Sequence, residues 1–170
     1  QAKIAAATTN NANDAGQTVL MYAAKNGDIK TIETLLDHGA DPNIVDKYKC
    51  SPLMYAAREG NADAVTLFIK RGVKIDYEDQ FNWTALTWAT KKNHLAVAKI
   101  LIGNGANIDR KDSDGTPILH YAIANKSKEM IQLLIDAKVN LKAKDRYGLT
   151  ALVYALKAKN KNQPLETLWI

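Results

Sequence analysis

Cysteine is nearly absent from this sequence: Cys50 is the only one in 170 residues. A single thiol can form neither an internal disulfide nor a zinc site by itself, so neither is expected to hold the fold together. No apolar run is long enough to cross a membrane, and we expect no membrane insertion. The chain also contains no glycine-rich phosphate loop and no CxxC pair. The sequence therefore predicts a protein without a metal or a cofactor.

Histidine is also scarce, with three copies placed far apart along the chain. His38 is expected at a helix C-terminus and His94 near a helix start, and neither begins a metal-ligand pattern. Lys47 and Lys49 can lower the pKa of the nearby Cys50 thiol, but a nucleophile also needs a positioned base. We therefore predict no catalytic residue and no enzyme activity.

What the sequence does contain is a period of 33 residues that runs without insertion or deletion. The phrases TVLMYAAKNGD, SPLMYAAREGN and TALTWATKKNH begin at Thr18, Ser51 and Thr84. One leucine ladder consists of Leu20, Leu53, Leu86, Leu119 and Leu152. A unit this short cannot bury a core alone, because its first helix spans only about two turns and isolated short helices are marginal in water. The copies are therefore expected to stack and to turn each ladder into a continuous core.

The second copy shows how each unit is expected to fold. Ser51 and Pro52 predict the start of a short first helix, and Gly60 predicts its end. Asn61 is expected to cap a second helix, which Gly72 ends with the left-handed conformation that glycine tolerates. A loop then returns the chain to the next unit.

Three motifs make the unit recognisable: DSDGTPILHYA from Asp112, GADPN from Gly39 and GANID from Gly105. They resemble the ankyrin repeat, a 33-residue unit with the pattern T-P-L-H-x-A. The resemblance covers about residues 13–170 and implies an all-α solenoid of stacked helix-turn-helix units joined by β-turn or hairpin loops. It also implies that the imidazole of His120 forms hydrogen bonds within the framework.

The period divides one continuous domain into units. We assign an N-terminal remnant or cap to residues 1–12, repeats to 13–45, 46–78, 79–111 and 112–144, and a truncated fifth repeat or C-terminal cap to 145–170. Within the last unit, PLETLWI (164–170) is expected to form a shortened second helix.

The fourth copy departs from the pattern at three places. Its Thr116-Pro117 pair lies one residue early, and Lys126 and Lys138 replace two helix-ending glycines. Because glycine is the residue that best tolerates the left-handed conformation at a helix end, we expect disturbed local helix ends here and an unchanged fold.

Two series recur with the period of 33 residues and are interpreted as framework. An acidic series is expected to brace the turns: Asp46, Asp79, Asp112 and Asp145. An aromatic series is expected to pack between neighbouring units: Tyr22, Tyr55, Trp88, Tyr121 and Tyr154. Contacts to an identical neighbour should not vary from copy to copy, whereas contacts to an asymmetric partner should.

The resemblance implies a non-catalytic scaffold that binds another protein through a concave face and the turn tips. Phe81 and Trp83 are the strongest candidates, because Trp, Tyr and Arg anchor many interfaces; the alternative is that the tips pack against one another. The candidate partner-binding residues are Tyr48, Arg58, Phe81, Trp83, Lys91, Lys92, Asp114, Asn125, Arg146, Tyr147 and Lys157. Most varying positions on the first helices are basic, which favours a partner with an acidic surface.

Positive charge is concentrated near the C-terminus, where residues 124–163 carry nine Lys and Arg against three Asp and Glu. One alternative function is therefore a polyanion binder, although the segment has few aromatic residues for stacking on bases, so we do not expect nucleic acid as the partner. Another is an accessory or targeting module of a larger protein.

We expect a monomer. The compartment stays open, with the cytoplasm as default and a secreted or periplasmic location as alternatives.

Overall fold

The computed structural model describes residues 9–159, with side chains as far as Lys157. In this part of the chain, four helix pairs are followed by a single further helix, and extended structure is limited to isolated β-bridges. The helices are α1 (Val19–Asn26), α2 (Ile29–Asp37), α3 (Pro52–Glu59), α4 (Ala62–Lys70), α5 (Ala85–Lys91), α6 (Leu95–Gly103), α7 (Ile118–Ala124), α8 (Lys128–Asp136) and α9 (Ala151–Lys159). The predicted all-α architecture is confirmed.

The helices stack in two layers. In the first layer α1, α3, α5, α7 and α9 each pack on the next, and in the second layer α2, α4, α6 and α8 do the same. Within each pair the two helices also contact each other. The helices of the inner pairs therefore bury one side against their own pair and two sides against neighbouring pairs, which explains how such short helices remain ordered.

The leucine ladder forms the core of the first layer over most of its length. Leu20, Leu53, Leu86 and Leu119 are at most 3% exposed. Leu152 was expected to continue this core and does not, since it is 68% exposed. The reason is its place in the stack: none of the described helices packs beyond α9.

The first helices begin as predicted in the first three pairs. The hydroxyls of Thr18, Ser51 and Thr84 accept a hydrogen bond from the backbone N–H three residues on. In the fourth pair Pro117 takes this position and α7 starts at Ile118, without a side-chain cap. The early Thr-Pro pair thus removes one capping interaction.

The expectation of disturbed helix ends at the two lysines holds only in part: α7 ends one residue earlier than the equivalent helix α3, whereas α8 ends at the position equivalent to the end of α4. Lys126 and Lys138 themselves adopt the left-handed conformation, with φ of 56° and 65°, in the place of glycines such as Gly60 and Gly72. Stacking on neighbouring pairs therefore enforces the helix end even where the residue is unfavourable. The cost of this conformation for a residue with a side chain is about 1–2 kcal/mol.

Two further predictions concern segments outside the described residues. The predicted helix at 164–170 lies there entirely, as does most of the predicted N-terminal cap.

Between residues 9 and 159, no helix is long and apolar enough to span a membrane.

Candidate partner-binding surface

Four turn tips are closed by their acidic residues, as the sequence predicted, and the first tip is closed in the same way by Asn13 Oδ1. Asp46 Oδ1 accepts hydrogen bonds from the backbone N–H groups of Tyr48 at 2.8 Å and Cys50 at 2.9 Å. The same pair of backbone bonds forms in the turns of Asp79, Asp112 and Asp145. One carboxylate oxygen per unit therefore fixes the shape of the tip.

The second carboxylate oxygen binds the recurring aromatic residue of the same unit. Tyr55 donates its hydroxyl hydrogen to Asp46 Oδ2 at 2.7 Å, and the indole N–H of Trp88 donates to Asp79 Oδ2 at 3.0 Å. Burial, together with the hydrogen bond to Asp46, raises the pKa of Tyr55 to about 12. Tyr55 and Trp88 thus tie their tips to their first helices, in agreement with the interpretation of the aromatic series as framework.

A similar network joins Tyr121 to Asp112. Burial and the hydrogen bond to Asp112 raise the pKa of Tyr121 well above its usual value. Burial alone would raise the pKa of Asp112, but the hydrogen bonds from Tyr121, the Thr116 amide and Trp83 together lower it. This tip is held by charge-assisted hydrogen bonds, which are stronger than neutral ones.

Neighbouring tips are joined through their backbones. The N–H of Lys47 donates to the carbonyl of Ala15 at 3.0 Å, and the N–H of Gln80 donates to the carbonyl of Tyr48 at 3.0 Å. A third link joins the next two tips, where the N–H of Ser113 donates to the carbonyl of Phe81 at 2.9 Å. The tips therefore pack side by side, while the side chains of Tyr48 and Phe81 remain 46% and 48% exposed.

Trp83 and Phe81, which the sequence treats alike, occupy different environments. Trp83 is half-buried, with its ring centroid 4.6 Å from that of Trp88 and 5.4 Å from that of Tyr121. Its indole N–H donates to Asp112 Oδ2 at 3.3 Å. Trp83 thus links the third helix pair to the next tip, and Phe81 is the more accessible of the two.

A groove of about 360 Å³ lies between the tips and the first helices. Three predicted candidates line it: Tyr48 and Phe81 on the tip side, and Arg58 from α3. The sequence analysis missed Gln17 and Gln80, which also line it. Both occupy positions whose residue differs from copy to copy, and that variation is the signal that could have identified them.

Cations on the first helices are held against aromatic rings. The guanidinium carbon of Arg58 lies 4.9 Å from the centroid of Tyr55 and 5.5 Å from that of Trp88. Lys91 Nζ lies 5.0 Å from the centroid of Tyr121. Arg58 also pairs with Glu59, at 3.1 Å between Nε and the carboxylate. These contacts limit the rotamers of Arg58 and Lys91 in the unbound protein.

The prediction of a lowered pKa for Cys50 is wrong. The thiol is buried, and burial, with added repulsion from the carboxylates of Asp46 and Asp79, raises its pKa to about 12. The two lysines on which the prediction rested are exposed to solvent. Cys50 is therefore a small core residue beneath the groove, without thiolate character.

The three histidines serve the framework. A ring nitrogen of each lies within hydrogen-bond distance of a backbone carbonyl: His38 and Thr34 at 2.7 Å, His94 and Arg58 at 2.9 Å, His120 and Leu149 at 3.0 Å. His120 is almost completely buried, and its Nδ1 has no hydrogen-bond partner among residues 9–159. A carbonyl can only accept, so the bonded nitrogen of each ring donates.

Several predicted candidates take part in contacts between units. Arg146 donates to Asp114 at 2.6 Å, and Asn125 donates to the carbonyls of Thr90 and Lys91, both at 2.9 Å. Lys92 is exposed, Tyr147 is 76% exposed on the last described tip, and Lys157 is half-buried in α9. Eight of the predicted candidates do not line the groove: Trp83, Lys91, Lys92, Asp114, Asn125, Arg146, Tyr147 and Lys157.

The side chain of Asn61 does not form the helix cap that the sequence predicted. It stands at the N-cap position of α4 but forms no side-chain cap there. Its amide donates instead to the carbonyls of Ala24 at 2.8 Å and Lys25 at 2.9 Å, at the end of α1. The amide thus satisfies carbonyls that a helix C-terminus leaves unpaired, one helix pair away.

The comparisons with known proteins agree with this geometry. The family model described as ankyrin repeats (3 copies) matches residues 2–46, 20–112 and 104–165. The chain therefore belongs to the ankyrin-repeat family. Members of this family are generally non-catalytic modules for protein–protein interaction. No curated protein matches the chain at a significant level of similarity.

Proposed function

We propose that this protein is a scaffold that binds one protein partner through the groove between its turn tips and first helices. The observation that carries the proposal is the pairing of two half-exposed aromatic side chains, Tyr48 and Phe81, with the ring-held Arg58 in one groove. Aromatic residues and arginine dominate the binding energy of many interfaces when they cluster in a pocket. A concave site lined by rings and a few placed polar groups also suits recognition.

The backbone geometry of the tips supports this use. The tips are fixed by Asp46 and Asp79 and by the links between neighbouring backbones, so Tyr48 and Phe81 are presented by a rigid ribbon. A preorganised surface loses little conformational freedom on binding. Tyr48 and Phe81 are therefore suited to act as anchors.

The charges of the groove support a partner with an acidic surface. Asp46 and Asp79 are nearly buried, and both oxygens of each accept hydrogen bonds from their own unit. Lys25 and Arg58 line the same groove and are more accessible. The accessible charge of the groove is thus mainly positive, which steers an acidic partner and raises its association rate.

The experiment is affinity capture from the native source with the wild-type protein, Phe81→Ala and the matched control Tyr77→Ala. Tyr77 is also exposed and aromatic, but it does not line the groove. We expect a partner that wild type and Tyr77→Ala retain and that Phe81→Ala loses, with all three proteins equally folded by circular dichroism. Equal capture by all three would contradict the proposal.

The polyanion alternative draws less support from the arrangement of the basic residues. Lys128 is on α8, Lys144 is in an isolated bridge before the last described tip, and Lys157 is on α9. These cations belong to separate elements, whereas a nucleic-acid site usually concentrates its cations along one face or helix. A steep loss of oligonucleotide binding with added salt would favour this alternative.

A further inference from the structure

The first helices carry one cation in the last turn of each of three successive pairs: Lys25 in α1, Arg58 in α3 and Lys91 in α5. Each follows the aromatic residue of its own helix by three positions. Arg58 lies over the rings of both Tyr55 and Trp88, so these two centroids are no more than about 10 Å apart. Cations and rings therefore alternate along the first layer, with one cation per helix.

The opposite side of the groove has a different chemistry. Tyr48 and Phe81 stand there on neighbouring tips, each about half-exposed. The groove thus has one cationic wall and one aromatic wall. A ligand that fits both must present acidic groups on one side and flat apolar groups on the other.

The spacing of the cations selects a backbone conformation. Packed helices lie about 8–10 Å apart, and we take this distance as the spacing of cations at equivalent positions of successive first helices. A polyproline II helix rises about 3.1 Å per residue with three residues per turn, so every third side chain points the same way at intervals of about 9 Å. In a β-strand every second side chain points the same way, at intervals of about 6.6–6.8 Å, and this interval does not match the spacing of the cations.

The lining of the groove agrees with an extended ligand. Side chains from α1, α3 and α5 and from three successive tips line it, so the groove runs across the units. Polyproline II segments, moreover, bind in aromatic-lined grooves because the rings pack against proline.

We propose that the groove binds an extended, proline-containing segment of the partner that carries a carboxylate at every third residue. The carboxylates pair with Lys25 and Arg58, which line the groove, and with Lys91 on the next first helix, while the prolines between them contact Tyr48 and Phe81. This inference rests on the proposed function, because it names the chemistry of the segment that the same groove recognises.

The test uses two fluorescein-labelled peptides of identical composition, measured by fluorescence anisotropy at low ionic strength with the full chain. One consists of repeated Glu-Pro-Pro triplets, and the other has the same glutamates in one block. We expect the triplet peptide to bind about fivefold or more tightly than the block peptide, since one added ion pair contributes up to about fivefold in affinity. Equal binding, or no binding of the triplet peptide at millimolar concentration, would overturn the inference.

Protein variants locate the binding site. Arg58→Gln and Lys91→Gln are each expected to weaken the triplet peptide by about threefold to fivefold. The matched control is Lys99→Gln, which removes one exposed cation from α6 in the second layer and should leave the affinity unchanged. A loss as large in Lys99→Gln as in Arg58→Gln would show attraction by net charge alone and would also overturn the inference.

The two proposals can fail separately. Phe81-dependent capture of a partner, combined with no preference for the spaced peptide, would leave the proposed function standing and remove the acidic-segment inference. A preference for the spaced peptide that Phe81→Ala does not reduce would place the peptide away from the aromatic wall, and would contradict the two-walled groove.

Discussion

The second and fourth helix pairs share a core but differ at their helix ends. In the second pair, Ser51 caps α3, and Gly60 takes the left-handed position that ends it. In the fourth pair, Pro117 leaves α7 without a side-chain cap, and Lys126 takes the left-handed position. The ladders of buried residues are therefore sufficient to maintain the fold, and helix-end chemistry adjusts its stability. We expect the fourth pair to be the less stable of the two.

The largest predicted difference comes from the core of the second layer. Phe68 in α4 and Leu134 in α8 occupy equivalent positions, and both are fully buried. Phe68→Ala is expected to lower the free energy of unfolding by about 3–5 kcal/mol, and Leu134→Ala by about 2–3 kcal/mol. The smaller cost reflects the smaller side chain and the place of α8 as the last second-layer helix of the described stack.

Urea denaturation followed by circular dichroism measures both changes. Hydrogen exchange adds a test of locality, because Leu134→Ala should release amides of α7 and α8 before those of α3 and α4. A uniform loss of protection along the stack would contradict the unequal stability of the two pairs.

The second prediction compares two tips whose aspartates bind different rings, Tyr55 for Asp46 and Trp88 for Asp79. A tyrosine hydroxyl can both donate and accept, whereas an indole N–H can only donate. Asp46→Asn is therefore tolerated, because the new amide can donate to the hydroxyl of Tyr55. The first unit already has this arrangement: Asn13 occupies the position equivalent to Asp46, and its Nδ2 donates to the hydroxyl of Tyr22 at 3.3 Å.

In Asp79→Asn the new amide would face the N–H of Trp88, and two donors cannot pair. We expect a cost of about 1–3 kcal/mol for Asp79→Asn and less than about 1 kcal/mol for Asp46→Asn, measured by urea denaturation. The double variant Asp79→Asn/Trp88→Tyr should recover most of the loss. Equal costs for the two single variants would refute the role of the ring.

The third prediction concerns the missing side-chain cap of α7 in the fourth pair. In the third pair, the N–H of Thr84 donates to Thr87 Oγ1 at 3.3 Å, and Thr84 Oγ1 accepts from the N–H of Thr87 at 3.3 Å. Pro117 has neither group, which explains the unpaired Nδ1 of His120. Pro117→Thr should raise stability by about 1–2 kcal/mol, by capping α7 and by giving His120 a donor.

Pro117→Ala is the matched control for this repair. It restores the N–H without the hydroxyl, and should therefore show a smaller gain than Pro117→Thr in thermal denaturation. If Pro117→Thr were no more stable than the wild type, the missing cap would not be what weakens the fourth pair.

The sequence predicted the stack well, because contacts to a copy of the same unit repeat with the period. It placed Leu152 in the core, but none of the described helices packs beyond α9 to cover this residue. It also treated Phe81 and Trp83 alike, since the partner of Trp83 is Asp112, 29 residues further on. For Cys50 the adjacent lysines were misleading, because burial controls the pKa of its thiol.

The groove was predicted only in part, for a related reason. Its two walls come from tips and first helices of successive units, so the residues that share it are separated by roughly one period in sequence. Repetition identifies the framework, and variation identifies candidates. Variation alone could not distinguish Phe81, which is accessible in the groove, from Asn125, which binds the end of the preceding first helix.

The smallest predicted effect concerns the left-handed lysines. Lys126→Gly and Lys138→Gly should each stabilise the protein by about 1 kcal/mol, because glycine adopts a positive φ without steric cost. Gly72→Ala makes the opposite change in the second pair, because Gly72 occupies there the position that Lys138 occupies in the fourth pair. A Cβ there would meet no atom within 4 Å, so its loss of about 1 kcal/mol would come from the backbone alone.

Both effects are measured by urea denaturation, with Lys99→Gly in α6 as a control in which glycine replaces an exposed lysine in a helix interior and should destabilise. If Lys138→Gly gave no gain while Gly72→Ala gave the expected loss, the fourth pair would already have relieved its strain by another route. The difference between the two pairs would then depend on the cap at Pro117 alone.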